Sequence, residues 1–232
     1  MEEEAWHGAD AAVVSLGTVV KKTCHRPASF YAELEALQTV FHESIVVLVG
    51  VCYESLSLFL PRFDCDLCAL LLSAEVSSVN SSDVASSLLK ALSVCHRVSL
   101  LHCDVKPENV LVMTTGGPWR YCLSDFGRCL FLPSGEIEAR RDEFSGTCAY
   151  GAPEQRRGRY GRPGDLFSLA VLIFAVCHQF LPYEDDDLGS ELPVPPPPEV
   201  NQRHGKLLRS LLSWEPERRF TAEQALAVLQ SK

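Results

Sequence analysis

Hydrophobic and polar positions change their period several times along the chain. Ala11 to Ser15 and Thr18 to Lys22 read as two short strands joined by Leu16-Gly17. From 27 to 42 the apolar spacing lengthens to three or four residues: Phe30, Leu34, Leu37 and Phe41 form one helical stripe, with Pro27 near the start and Ser29 as a cap. A second helical pattern, Val84, Leu88, Leu92 and Cys95, runs to about Val98 behind Ser82-Asp83, and reads as a central buried helix. Thr114 to Pro118 is a turn between two strands, so Val112 and Leu123 belong to one hairpin. Leu166 to His178 is apolar all round, as a buried helix must be, and Thr221 to Leu229 reads as a closing helix capped by Thr221.

Composition narrows the class. The 232 residues make one domain or a compact two-lobed unit, and the net charge of −9 argues against a nucleic-acid surface and does not suggest an anionic membrane as partner. Ten cysteines are scattered, many in apolar runs, and Cys65-x-x-Cys68 has no second pair at zinc spacing, so reduced thiols are expected. Met-Glu-Glu-Glu at the start is unlike a basic signal peptide, and the run Leu166 to Val176, interrupted by Ser168, is too short to span a bilayer. A soluble, intracellular chain is expected. Glu184 to Asp187 reads as a solvated acidic loop, and Pro193 with Pro195 to Pro198 as a stiff polyproline connector.

The candidate chemistry lies in Leu101-His102-Cys103-Asp104-Val105-Lys106-Pro107-Glu108-Asn109-Val110. Pro107 argues against a helix interior, so Asp104, Lys106 and Asn109 sit on a loop feeding a strand. Asp125 follows in Ser124-Asp125-Phe126-Gly127, on a turn that Gly127 permits. Two acids and an Asn from neighbouring loops suit Mg²⁺, which takes oxygen ligands and shares them with phosphate. A lysine beside them would neutralise a transferring phosphoryl group. Singly, each element is more often a solvated pair or an ordinary turn. Together, in this order and with Ala152-Pro153-Glu154, they match a known signature set: the chain resembles a eukaryotic-type serine/threonine protein kinase.

That resemblance implies an α+β, bilobal protein-kinase-like fold. A trimmed β-rich N-lobe and hinge would occupy residues 1–63, and a mainly helical C-lobe 64–232. It implies ATP and Mg²⁺ as cofactors. Asp104 would orient the acceptor hydroxyl and take its proton, Lys106 would neutralise the γ-phosphate, and Asn109 and Asp125 would hold Mg²⁺. Alternation is read as favouring Lys21 as the strand lysine on the phosphates, with Val20 before it and Lys22 as the competitor facing the other way. Glu33 would pair with that lysine, and Glu35 is its competitor. Gly8, Ala11 and Val13 would stand for parts of the glycine loop whose first glycine has no counterpart. Leu60 would guard the back pocket, while Pro61 and Phe63 would meet adenine; Asp66 is open between ribose and solvent.

Gly146-Thr147-Cys148-Ala149-Tyr150-Gly151-Ala152-Pro153-Glu154 resembles the serine/threonine pattern, with Thr147 bridging Asp104 and Lys106. Arg219 would pair with Glu154, and Asp165 would brace the catalytic loop. Cys103 stands where the family carries the arginine that pairs with a phosphorylated activation loop, so activity without such phosphate is expected. The short lobes and the hinge also resemble kinases of large DNA viruses, herpesvirus-type among them. Serine or threonine hydroxyls of proteins would be the acceptors. The chain is expected to act as a monomer in cytoplasm or nucleus, those of a host cell if viral, without nucleic acid or membrane. The incomplete glycine loop supports an alternative, a pseudokinase serving as an interaction module.

Overall fold

The computed structural model describes residues 5–7, 10–183 and 204–231. Gly8, the acidic stretch from Glu184 to Asp187 and the prolines from 193 to 198 lie outside the described residues.

The N-terminal part is a sheet of β1 (Ala5–His7), β2 (Ala11–Leu16), β3 (Val19–Cys24), β4 (Gly50–Cys52) and β5 (Ser57–Pro61), in the order β1-β2-β3-β5-β4. Its described pairings are antiparallel. One helix, α1 (Pro27–Thr39), packs on it through buried Phe30, Leu34 and Leu37. Two helix-end expectations fail. With Pro27 as the first helical residue, the N-cap falls on Arg26, so Ser29 lies inside the helix and caps nothing. At the other end the helix stops at Thr39, so Phe41 leaves the helical stripe and is 83% exposed. Over 41–49 the chain bridges Ile45 to Leu123 and donates the Val49 amide to the Phe59 carbonyl at 2.8 Å before β4.

The larger part begins with β6 (Cys65–Asp66) and α2 (Leu67–Leu71) and centres on α3 (Ser81–Arg97). Asn80, two residues ahead of the first expected cap, accepts from the Ser82 amide at 3.0 Å and starts α3. Val84, Leu88, Leu92 and Cys95 are fully buried. After β7 (Leu100–Leu101) a loop leads into β8 (Val110–Met113) and β9 (Arg120–Leu123), which pair antiparallel and place Val110 opposite Leu123. Then come β10 (Leu130–Phe131), β11 (Glu138–Arg140), α4 (Pro153–Arg156), β12 (Arg159–Gly161), α5 (Arg162–His178), α6 (Gly205–Leu211) and α7 (Ala222–Gln230). The run from Gly164 to Val176 in α5 is buried, which explains its lack of a polar face. Thr221 caps α7 reciprocally: its hydroxyl accepts from the Gln224 amide, and its own amide donates to the Gln224 side chain.

Between the two parts the chain is held tightly. The Arg62 amide donates to the Thr18 carbonyl at 2.9 Å, and the Asp64 amide to the Val112 carbonyl at 3.1 Å. The Asp64 carboxylate also gathers the amides and hydroxyls of Thr114 and Thr115, which hold it below the ordinary aspartate pKa.

Candidate active site

The strand geometry of β3 decides which lysine enters the site. Residues directly opposite in an antiparallel pair share a face, and faces alternate along a strand. Val20 lies opposite Leu60, and Lys22 opposite Leu58. Both leucines are buried, so Val20 and Lys22 point to the interior. Lys21 lies opposite Phe59 and Val14, on the other face. Placing the lysine next to Val20, rather than two residues from an inward neighbour, chose the wrong face. Lys22, not Lys21, donates to both carboxylate oxygens of Glu33 at 2.9 and 2.7 Å and to Asp125 at 2.8 Å.

Glu33 is fully buried on the inner face of α1, while Glu35 is exposed. Burial acts to lower the Lys22 pKa, but the Glu33 and Asp125 charges outweigh it, and the net shift is upward. Burial also acts to raise the Asp125 pKa; Lys22, through charge and hydrogen bond, overcomes this and holds it down at about 2. All three groups are therefore gathered into one charge cluster with Lys22 at its centre, Glu33 buried and Asp125 partly exposed.

The catalytic loop is built on Asp165 near the start of α5. Its carboxylate accepts from the His102 and Cys103 amides, both at 2.9 Å, and meets His96 Nε2 at 3.0 Å. Cys103 takes a left-handed backbone, φ +67°, which a non-glycine residue holds only when its surroundings impose it. The two amide bonds to Asp165 are that imposition. Burial pushes the Cys103 thiol well above its ordinary pKa, so it stays neutral. His102 is buried against Phe126, with Nε2 2.9 Å from the Ser124 carbonyl, and so serves packing.

Asp104 sits at the junction. The Thr147 hydroxyl donates to Asp104 Oδ1 at 2.8 Å and accepts from Lys106 Nζ at 2.8 Å, and Lys106 Nζ lies 3.3 Å from Asp104 Oδ2. Asn109 Nδ2 donates to the Asp104 carbonyl at 2.8 Å. Gly146 makes the approach of Thr147 feasible: its φ is +144°, and a Cβ there would lie 2.9 Å from the Cys103 carbonyl. Asp125, also left-handed at φ +58°, follows Ser124, whose amide donates to the Asn109 carbonyl at 2.9 Å.

The donor set fits a magnesium ion. Asn109 spends its amide N–H on Asp104, which leaves its oxygen as a ligand, and Asp125 is ionised by its depressed pKa. Two protein oxygens completed by phosphates and water suit Mg²⁺. Among the described residues no group of three or more His, Cys, Asp or Glu forms a protein-only metal cage.

The remaining expected residues lie on β2, on β5 and in the segment that follows it. Val13 lies opposite Lys22 and shares its face. Leu60 is buried, Pro61 ends β5, and Phe63 is half-buried against the core. Asp66 accepts from the Ala69 amide at 2.8 Å and so caps α2. Away from the cleft, buried Arg219 meets Glu154 through two bonds of 2.6 and 2.9 Å. One residue escaped the sequence reading. Arg128, just after Gly127, bonds Asp10 at 2.8 Å and lies 3.9 Å from Asp104. Its position behind Asp-Phe-Gly was visible; its partner, 118 positions away, was not.

A two-lobed fold with a lysine–glutamate pair above a paired acid loop defines a class of nucleotide-dependent phosphotransferase. The protein kinase domain model matches residues 5–229, and the chain belongs to the protein kinase family. It is 31% identical over 214 residues to serine/threonine-protein kinase dkf-1 of Caenorhabditis elegans, covering 85% of this chain and 29% of that one. It is 29% identical over 209 residues to serine/threonine-protein kinase D3 of Mus musculus, covering 84% of this chain and 23% of the relative. A probable serine/threonine-protein kinase, pXi of Dictyostelium discoideum, is 27% identical over 90% of this chain and 30% of its own length. The chain thus spans less than a third of the length of these relatives.

Proposed function

We propose that the chain transfers the γ-phosphate of ATP to serine or threonine hydroxyls of proteins. The observation that carries this reading is the Thr147 hydroxyl, 2.8 Å from both Asp104 and Lys106. It ties the substrate-side segment to the acid and the lysine that act on the acceptor. Asp104 holds the acceptor hydroxyl and takes its proton as the new O–P bond forms, and Lys106 offsets charge on the moving phosphoryl group. Lys22, kept cationic and fixed by Glu33, binds the nucleotide phosphates. Asn109 and Asp125 hold Mg²⁺, which when bound neutralises phosphate charge. Val13, Leu60, Pro61 and Phe63 surround adenine.

Control by an activation-loop phosphate is not part of this reading. Cys103 is neutral and buried. Arg26, Arg128 and Arg141 do line a cavity of about 280 Å³ with Ser145. Of these, Arg141 is held by the Arg128 and Cys129 carbonyls and Arg26 is largely exposed, so the three do not form a preset clamp on Ser145. Ser145→Ala should therefore retain transfer, and loss of transfer on phosphatase treatment would count against this part. Protein substrates, a monomeric state, a cytoplasmic or nuclear location, and no nucleic-acid or membrane partner complete the proposal. Among the described residues no helix is long and apolar enough to cross a membrane.

A second reading, a nucleotide-poor interaction module, is favoured by one observation. Two phosphate-side groups are already engaged by protein, Lys22 by Asp125 and Arg128 by Asp10, both at 2.8 Å. Mg-ATP-dependent phosphate transfer to casein or myelin basic protein, with Asp125→Asn as control, separates the two. Transfer by the wild type alone supports the kinase; no transfer and no thermal shift with Mg-ATP leaves the module.

A further inference from the structure

We propose that Arg128 is a phosphate-binding side chain of the nucleotide site, and that Asp10 holds it in reserve by shutting the phosphate end of the cleft. The inference rests on the kinase reading and extends it to two residues outside its signature.

Asp10 stands just ahead of β2, where its carbonyl accepts from the His25 amide at 3.0 Å. Its carboxylate is shared between Arg128 at 2.8 Å and Arg26 at 3.3 Å. Arg128 in turn leans toward Asp104, with Nε 3.9 Å from Oδ2. One guanidinium thus reaches from the strand connection above the cleft to the acid beneath it. Beside it, Lys22 contacts Asp125 directly. The cavity these two pairs share with Cys24, Ser29 and Glu33 measures about 10 Å³, room for about one water.

Charge explains both halves of the proposal. An incoming triphosphate is repelled by Asp10 and attracted by Arg128, and it offers the guanidinium the same kind of oxygen acceptor that Asp10 provides now. Arg128 can exchange one oxyanion for the other without being left unpaired. Asp10 and Arg128 are each about one-third exposed, so the clasp is weak enough to be displaced. The exchange leaves Arg128 beside Asp104, where its Nε already lies 3.9 Å from Oδ2, and turns its remaining donors to phosphate. It also offers a side-chain donor where the sequence lacks a full set of glycines for backbone donors.

The test is calorimetric titration of the full chain with Mg-ATP and, separately, with adenosine, for wild type, Asp10→Asn, Arg128→Gln and Arg128→Lys, each checked for an unchanged melt. Asp10→Asn should tighten Mg-ATP by about three- to tenfold, since it removes an exposed pair and a repulsive charge. Arg128→Gln should weaken Mg-ATP by about tenfold, and Arg128→Lys by less. Adenosine, which has no phosphate, should bind all four proteins equally. If wild type binds Mg-ATP and Asp10→Asn binds it no more tightly, or if adenosine shifts in parallel, the clasp is overturned and the kinase reading stands. If no variant binds Mg-ATP, both fall.

Discussion

The ammonium of Lys22 lies 2.8 Å from Asp125 and at most 2.9 Å from each oxygen of Glu33, so one cation joins a strand, a helix and the loop after β9. Lys21, its neighbour, points away from this cluster. Lys22→Met should reduce phosphate transfer by about 10²-fold or more, the scale for removing a preorganised charge. Lys21→Met should stay within about threefold of wild type, as surface changes usually do. Comparing kcat/KM for the two variants tests the assignment, and equal losses would contradict it.

Thr147 makes a second prediction, specific to the substrate-side brace. Thr147→Val keeps the shape and removes the hydroxyl that bridges Asp104 and Lys106. Transfer should fall by about 10²-fold, mainly in kcat, while the KM for ATP changes little. Thr147→Ser restores the hydroxyl and should recover most of the rate.

Arg219 and Glu154 form a pair closed off from solvent on the arginine side. Arg219→Ala leaves a buried carboxylate without its cation and should cost about 3–5 kcal/mol. For a domain of this size that lowers Tm by roughly 6–20 °C. Adding Glu154→Ala should cost much less than the sum of the single changes, because the second removes the charge the first exposed.

Asp125 carries the pH dependence. Its folded pKa, about 2, lies below the ordinary 3.8. A carboxylate depressed in this way stabilises the fold above its unfolded pKa and loses that contribution as pH falls through the folded value. The stability gap between wild type and Asp125→Asn, read from urea midpoints, should therefore be constant from neutral pH to about 4 and shrink towards pH 2. The carboxylate is 40% exposed, so solvent screening keeps the gap modest. No limb of the rate profile near neutrality should belong to Asp125.

Much of the site was legible because its parts are contiguous. Asp104, Lys106 and Asn109 fall within six residues, and a loop that short brings them together whatever the rest of the fold does. Glu33 was readable from the helical stripe beside it. Lys22 was misread because alternation was counted from an adjacent residue, which in a strand always faces the other way. Helix ends were placed one to three residues out, since Pro27 and Asn80 fix caps more firmly than the serines nearby. The Asp10–Arg128 contact had no local signal at all, because it joins side chains 118 positions apart that meet only in the folded chain.

The linker between the two parts leaves little slack. Arg62 is fastened to Thr18 on one side and Asp64 to Val112 on the other, while Asp64 is further secured by Thr114 and Thr115. Phe63 alone stands between the two anchored amides. If the lobes swivel to admit or release nucleotide, the torsional change between the anchored amides falls on the backbone of Arg62 and Phe63, and the ring of Phe63 is half sunk in the core. A two-residue axle of this kind would let the bulk of the Phe63 side chain set how far the jaws can part.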